Sequence, residues 1–210
     1  MLPVDWPTLG AYAIAAFVIV ISPGPDTLLI LRYTLAGGRR VGVATVAGVQ
    51  LGIVVHTAAA VVGLSILIVS LPLVFKAIAI IGALYLAYLG VQSFRTSIFA
   101  VGGASSIRLY PAKGVRDALI TNVLNPKVIL LFIALMPQFV RPEQGSVPWQ
   151  LVTLGATLFV INVAWQAILV AAAETARLWL DRPSVQRALS WGTGAILFGF
   201  AALLIVDYVL

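Results

Sequence analysis

The stretch ISPGPDTLLI, residues 21–30, sets two prolines, a glycine and an aspartate inside an otherwise apolar run. Proline removes a backbone hydrogen bond and drives the residue before it out of helical geometry. A carboxylate at bilayer depth costs about 2.5–3.5 kcal/mol on insertion scales, so it is normally paired or lines water. A second run, TNVLNPKVILLF at 121–132, breaks in the same way and carries Asn122, Asn125, Pro126 and Lys127. In both, a capping residue precedes a proline, Ser22 before Pro23 and Asn125 before Pro126. A cap followed by proline at the first helical position is a helix-start signal. Each run is therefore expected to be two half-helices, the second starting near mid-membrane. The prolines alone are equally consistent with simple kinks; Asp26 and Lys127 are what turn the breaks into a candidate site.

Composition supports the membrane setting. Of 210 residues, 61% are apolar and only 10% charged, against about 25% charged in soluble domains, and the mean hydropathy is +1.08. Six stretches are apolar and long enough to cross a bilayer: about 9–31, 43–69, 74–94, 115–137, 149–173 and 189–209. The N-terminal MLPVDWP offers Asp5 where a signal peptide carries Lys or Arg, so the first run is expected to stay in the mature protein. The net charge of +6 is spread over short connecting segments, which suits membrane topology and not nucleic-acid contact. Arg32, Arg39 and Arg40, then Arg95, Arg108, Lys113 and Arg116, then Arg177, Arg182 and Arg187 follow spans one, three and five, ten of the thirteen basic residues. The positive-inside rule places these loops in the cytoplasm and both termini outside. Trp6, Trp149, Trp179 and Trp191 fall near the expected interfaces.

The fold expected is an all-α membrane protein of six transmembrane helices forming one domain over 1–210. It divides into a first repeat at about 9–94, a cytoplasmic loop at 95–114 and a second repeat at about 115–210. Three spans per half is odd, so the halves insert in opposite senses, and transporters of this kind bind substrate where interrupted helices meet. A helix start carries about half a positive charge and free N–H groups, which suits a carboxylate. Asp26 suits an ammonium or a proton. The constellation matches a zwitterion such as an amino acid. Asp26 and Lys127 are expected to pair, directly or across a cavity, and protonation of Asp26 would then free Lys127 for a substrate carboxylate.

PGPDTLL, the spaced glycines of GRRVGVATVAGVQLG, GALYLAYLG at 82–90 and KG…TNVLNPKVILLF…PQF at 113–139 resemble the lysine exporter / homoserine–threonine exporter (LysE/RhtB) family. The resemblance covers residues 20 to 139 in motif detail. It implies export of amino acids or close derivatives from the bacterial cytoplasm across the inner membrane, driven by the proton gradient. The family's PGP motif falls on Pro23, Gly24 and Pro25, and its NPK motif on Asn125, Pro126 and Lys127. Asp26 stands where the family often has Asp or Asn. Leu131 departs from the pattern, in which a second aromatic is frequent beside Phe132, and the last two spans carry no family motif.

Further polar residues divide between site and packing. His56 lies mid-span and is a candidate for proton coupling alongside Asp26, or is bonded internally. Asn162 and Gln166, four apart on one helix face, either wall the substrate or bridge helices. Gly48 and Gly52 form a small-xxx-small pattern that favours close helix approach, and Gln50 between them is read as a helix-to-helix hydrogen bond. Tyr85 and Tyr88 are read as packing. The loop containing GGASS is read as a linker, and 174–187 as either an interfacial helix or a basic loop.

The competing classes fare worse. A cation or metal-ion exporter or channel of similar architecture is the alternative, but the chain has no cysteine and one histidine, which excludes thiolate metal sites and argues against soft-metal transport. An intramembrane hydrolase needs a second deep carboxylate or a Ser–His pair. No glycine-rich phosphate loop is visible. No cofactor is expected, the partners are a small amino-acid-like molecule, protons and lipid, and a chain this small is compatible with a homodimer.

Overall fold

A computed structural model describes residues 3–22, 24–64, 110–173 and 182–209, with isolated positions 73, 77, 80, 81, 84, 87, 88, 91 and 175. Among the described residues every regular element is a helix. The expectations for most of span 74–94, for Tyr85, for the loop up to residue 109, for Pro23 and for most of 174–181 lie outside the described residues.

Helix α1 (Trp6–Ile21) starts where Asp5 caps it: the carboxylate accepts the Thr8 amide at 2.9 Å and the Thr8 hydroxyl at 3.0 Å. The Thr8 amide holds the Asp5 carboxyl below its ordinary range. The helix ends at Ser22, whose extended backbone is what the proline after it demands. Helix α2 (Pro25–Gly37) restarts after extended Gly24 and is bent 55° from α1. This corrects the expected restart at Pro23 with Ser22 as cap. Gly24 itself precedes a proline and is excluded from the helix, so the second proline of the motif sets the start.

Gly38, at φ +81°, ends α2 and leads straight into α3 (Arg39–Ala59), which continues through a π turn at Ala60–Leu64. A left-handed residue here needs glycine. Helix α4 (Pro111–Val123) and the short α5 (Pro126–Leu130) form the second broken pair, bent by 49°, with α5 running on through a π turn to Phe139. At this break Asn125 caps the restart by accepting the Lys127 amide at 3.1 Å, and Pro126 is the first helical residue, as the sequence predicts. Helix α6 (Val147–Ala171) and helix α7 (Pro183–Val209) complete the described chain.

Among the described residues two single helices, Arg39–Gly63 and Val147–Ala171, are long and apolar enough to cross a membrane, and each bent pair makes a further candidate span. Their outer faces present large apolar residues such as Ile14, Val54, Val160 and Ile168 to the surroundings, a surface that suits lipid and not water. Inside, Tyr12, Ala16 and Ile19 of α1 pack on Leu151, Leu154 and Leu158 of α6. A second core joins Ile30, Val49, Ala118 and Val170. Helices α3 and α4 lie closest, because a side chain at Gly48 would meet the Val115 carbonyl and one at Gly52 the Asn122 side chain. The packing reading of these glycines therefore holds. At the far end of α2 from the break, the Tyr33 hydroxyl donates to Asp117 of α4 at 2.5 Å, and Lys113 and Arg116 pair with the same carboxylate at 3.2 and 3.0 Å.

Candidate functional site

The two breaks close on each other. From the second, Asn122 Nδ2 donates to Asp26 Oδ2 at 2.9 Å and Asn125 Nδ2 donates to the same oxygen at 3.0 Å. Lys127 Nζ reaches the first break and donates to the backbone carbonyl of Ser22 at 2.5 Å, one of the carbonyls freed where α1 stops. Lys127 lies beside Gly24, where a side-chain carbon would sit in ordinary contact, 3.6 Å from Lys127 Cδ and 3.7 Å from Nζ.

The amide orientations follow from chemistry. Asn125 Oδ1 is used as the α5 cap, so its NH2 is what remains for Asp26. Asn122 must also present its NH2, because its oxygen would repel the carboxylate. Its Oδ1 then lies against Gly52 with no hydrogen-bond partner. Behind it, His56 Nε2 stands 3.2 Å from the Asn122 carbonyl, and the imidazole stacks on Phe132 with centroids 5.3 Å apart. His56 is thus bonded internally.

Two donors on Oδ2 leave Asp26 asymmetric. Oδ1 is buried and has no partner, a condition that costs about 1–3 kcal/mol for a neutral group and more for a charged one. Asp26 and Lys127 do not form an ion pair; among the described residues Asp117 holds the ion pairs. Both line one cavity of about 40 Å³, together with Gly24, Asn125, Asn162 and Gln166. The two charged groups face the cavity without a direct bond, and Lys127 is held by the Ser22 carbonyl.

Not every predicted residue lines this cavity. Ser22 contributes its carbonyl, Asn122 and His56 stand behind Asp26, and Pro25 and Pro126 are exposed and act on the backbone alone. Asn162 and Gln166 do line it, and Gln166 is also bridged to α3, its Oε1 accepting Gln50 Nε2 at 2.9 Å. The bridging reading therefore holds for Gln166. The residue missed is Trp165, which lines the cavity with its indole N–H buried and without an acceptor. The available signal was its position, three residues after Asn162 and beside Gln166, in the middle of an apolar run and away from the interfaces where the sequence leads one to expect the other four tryptophans.

Comparison with known proteins gives a family and named relatives. The model of the LysE type translocators matches residues 17–208. The uncharacterized membrane protein YrhP of Bacillus subtilis (strain 168) is 34% identical over 202 residues, covering 92% of this chain and 96% of that protein. The homoserine/homoserine lactone efflux protein of Salmonella typhimurium is 29% identical over 92% of this chain and 94% of its own. The leucine efflux protein of Enterobacter sp. (strain 638) is 29% identical over 91% and 92%. No solved structure matches.

Proposed function

Since the chain belongs to the LysE type translocator family and is a transporter, not an enzyme, we propose that it exports amino acids or close derivatives from the bacterial cytoplasm by exchange with protons. Relatives named for efflux of homoserine, homoserine lactone and leucine support the substrate class. The observation that carries the reading is the cavity at the junction of the two breaks, lined by one acid and one amine and flanked by amides. A zwitterion brings the complementary pair of charges.

Exchange follows from the free oxygen of Asp26. With Oδ2 held by two amides, Oδ1 takes either a proton or the substrate ammonium, and not both. Deprotonated Asp26 binds substrate from the cytoplasm. Protons arriving from outside displace it, and the protonated carrier returns. A cavity of about 40 Å³ holds only a few water-sized groups, so its walls must move to admit an amino acid.

The architecture we propose is six spans in two inverted three-helix repeats, about 9–94 and 115–210, in the inner membrane with both termini outside. Two facts support it. Both broken pairs bend by similar angles, 55° and 49°. The Tyr33–Asp117 bond brings the end of α2 beside the start of α4, which gathers Arg39, Arg40, Lys113 and Arg116 near one end of the helices. The test is efflux from cells preloaded with a panel of amino acids, with and without a proton-gradient uncoupler. Uncoupler-sensitive efflux of at least one is expected; efflux of none above control cells would remove the assignment.

A further inference from the structure

Two buried polar atoms of opposite kind lack partners at the cavity: the acceptor Asp26 Oδ1 and the donor Trp165 Nε1. An indole N–H can only donate, and native proteins leave few buried donors without an acceptor. On α6 the neighbouring Gln166 gives its carbonyl to Gln50, which leaves its amide N–H groups, like those of Asn162, as further donors at the wall. The Trp165 N–H is distinguished among them by being buried without a partner. Lys127 supplies the second donor, since an ammonium carries three N–H groups and one is on Ser22.

The rest of the lining limits what else a ligand can carry. Asp26 and Lys127 are its charged members, and the remaining wall mixes aliphatic side chains such as Ile53 and Leu158 with uncharged polar ones, Thr27, Asn125, Asn162 and Gln166. An α-amino acid uses both charges with its own ammonium and carboxylate. A basic or acidic side chain would bring a third charge to a wall that holds no further group of opposite charge, where an unpaired ion is penalised.

Resting on the export reading above, we propose that Trp165 is a substrate-binding residue whose indole N–H joins the Lys127 ammonium in holding the substrate carboxylate, and that the site selects amino acids with uncharged side chains. The full chain in proteoliposomes is assayed by counterflow of labelled leucine against leucine, leucinamide, lysine and glutamate. Leucinamide, which lacks the carboxylate, is expected to compete at least about tenfold more weakly than leucine in the unaltered protein, the worth of one hydrogen bond to a charged group. Lysine and glutamate are expected to be weaker by a similar factor or more. In Trp165→Phe the half-saturation for leucine rises about tenfold, and that for leucinamide, whose neutral carbonyl still accepts a weaker bond, rises by a smaller factor.

Each failure has a distinct meaning. If no amino acid exchanges with itself, the export reading falls and takes this inference with it. If amino acids exchange but lysine or glutamate competes as well as leucine, the substrate class is overturned alone. An unchanged half-saturation in Trp165→Phe removes the tryptophan from the site, and an equal shift for leucinamide overturns its part in holding the carboxylate charge. Should that variant not fold, equal competition by leucine and leucinamide in the unaltered protein overturns the carboxylate contact by itself.

Discussion

Lys127 gives its hydrogen bond to the Ser22 carbonyl and not to Asp26, although both charged groups line the same cavity. The lysine therefore has two roles: it ties the first break to the second, and it keeps a positive charge at the cavity wall. Lys127→Met retains the stem and removes the charge. It is expected to weaken binding of leucine by about 10–100-fold, the range for losing a charge-assisted bond, while leucinamide is affected much less. Counterflow inhibition measures both. Equal losses for the two ligands would leave the lysine a purely structural tie.

His56 separates positioning from proton relay. Its ring nitrogen supports the Asn122 carbonyl, and Asn122 in turn donates to Asp26. His56→Gln keeps a donor and cannot titrate. Proton-driven efflux in that variant is expected to stay within about threefold of normal, whereas His56→Leu, which deletes the bond of about 1 kcal/mol, lowers it further. Loss of proton coupling in His56→Gln with counterflow intact would make the histidine a relay.

Gly52 is where the helix packing reaches the site. A methyl group there runs into the Asn122 side chain, so Gly52→Ala is expected to cost about 1–3 kcal/mol and to lower transport by displacing an Asp26 donor. Gly10→Ala in α1 meets nothing within 4 Å among the described residues and is expected to lose no stability. Thermal unfolding in detergent compares the two. Equal melting temperatures would contradict the close α3–α4 contact.

Topology has a clean chemical test because the chain contains no cysteine. A single cysteine at Ser105 is expected to react with an impermeant maleimide only when the cytoplasmic side is accessible. Labelling from outside intact cells would invert the assignment.

Much of this was legible before any coordinates. Proline grammar is local, so both breaks could be read from the chain, and the Asn125 cap falls where the residue types place it. The first restart was misjudged by two residues because the motif holds two prolines and either can begin a helix; the extended Gly24 between them decides. Side-chain partners were harder. Sequence shows that Asp26 and Lys127 are isolated charges in apolar runs, but not that two asparagines reach the carboxylate before the lysine does. Trp165 stayed hidden because a tryptophan in an apolar span carries no periodic signal of its own, and only the shared face with Asn162 and Gln166 marks it.

The claim that matters most is that the unbonded oxygen of Asp26 holds proton and substrate in turn. It is tested by imposing a pH gradient on proteoliposomes containing the protein or its Asp26→Asn variant and following uphill movement of a transported amino acid. The variant keeps an oxygen to accept the Asn122 and Asn125 amides, so it is expected to fold, yet to show no response to the gradient. Gradient-driven accumulation equal to that of the unaltered protein would contradict the account.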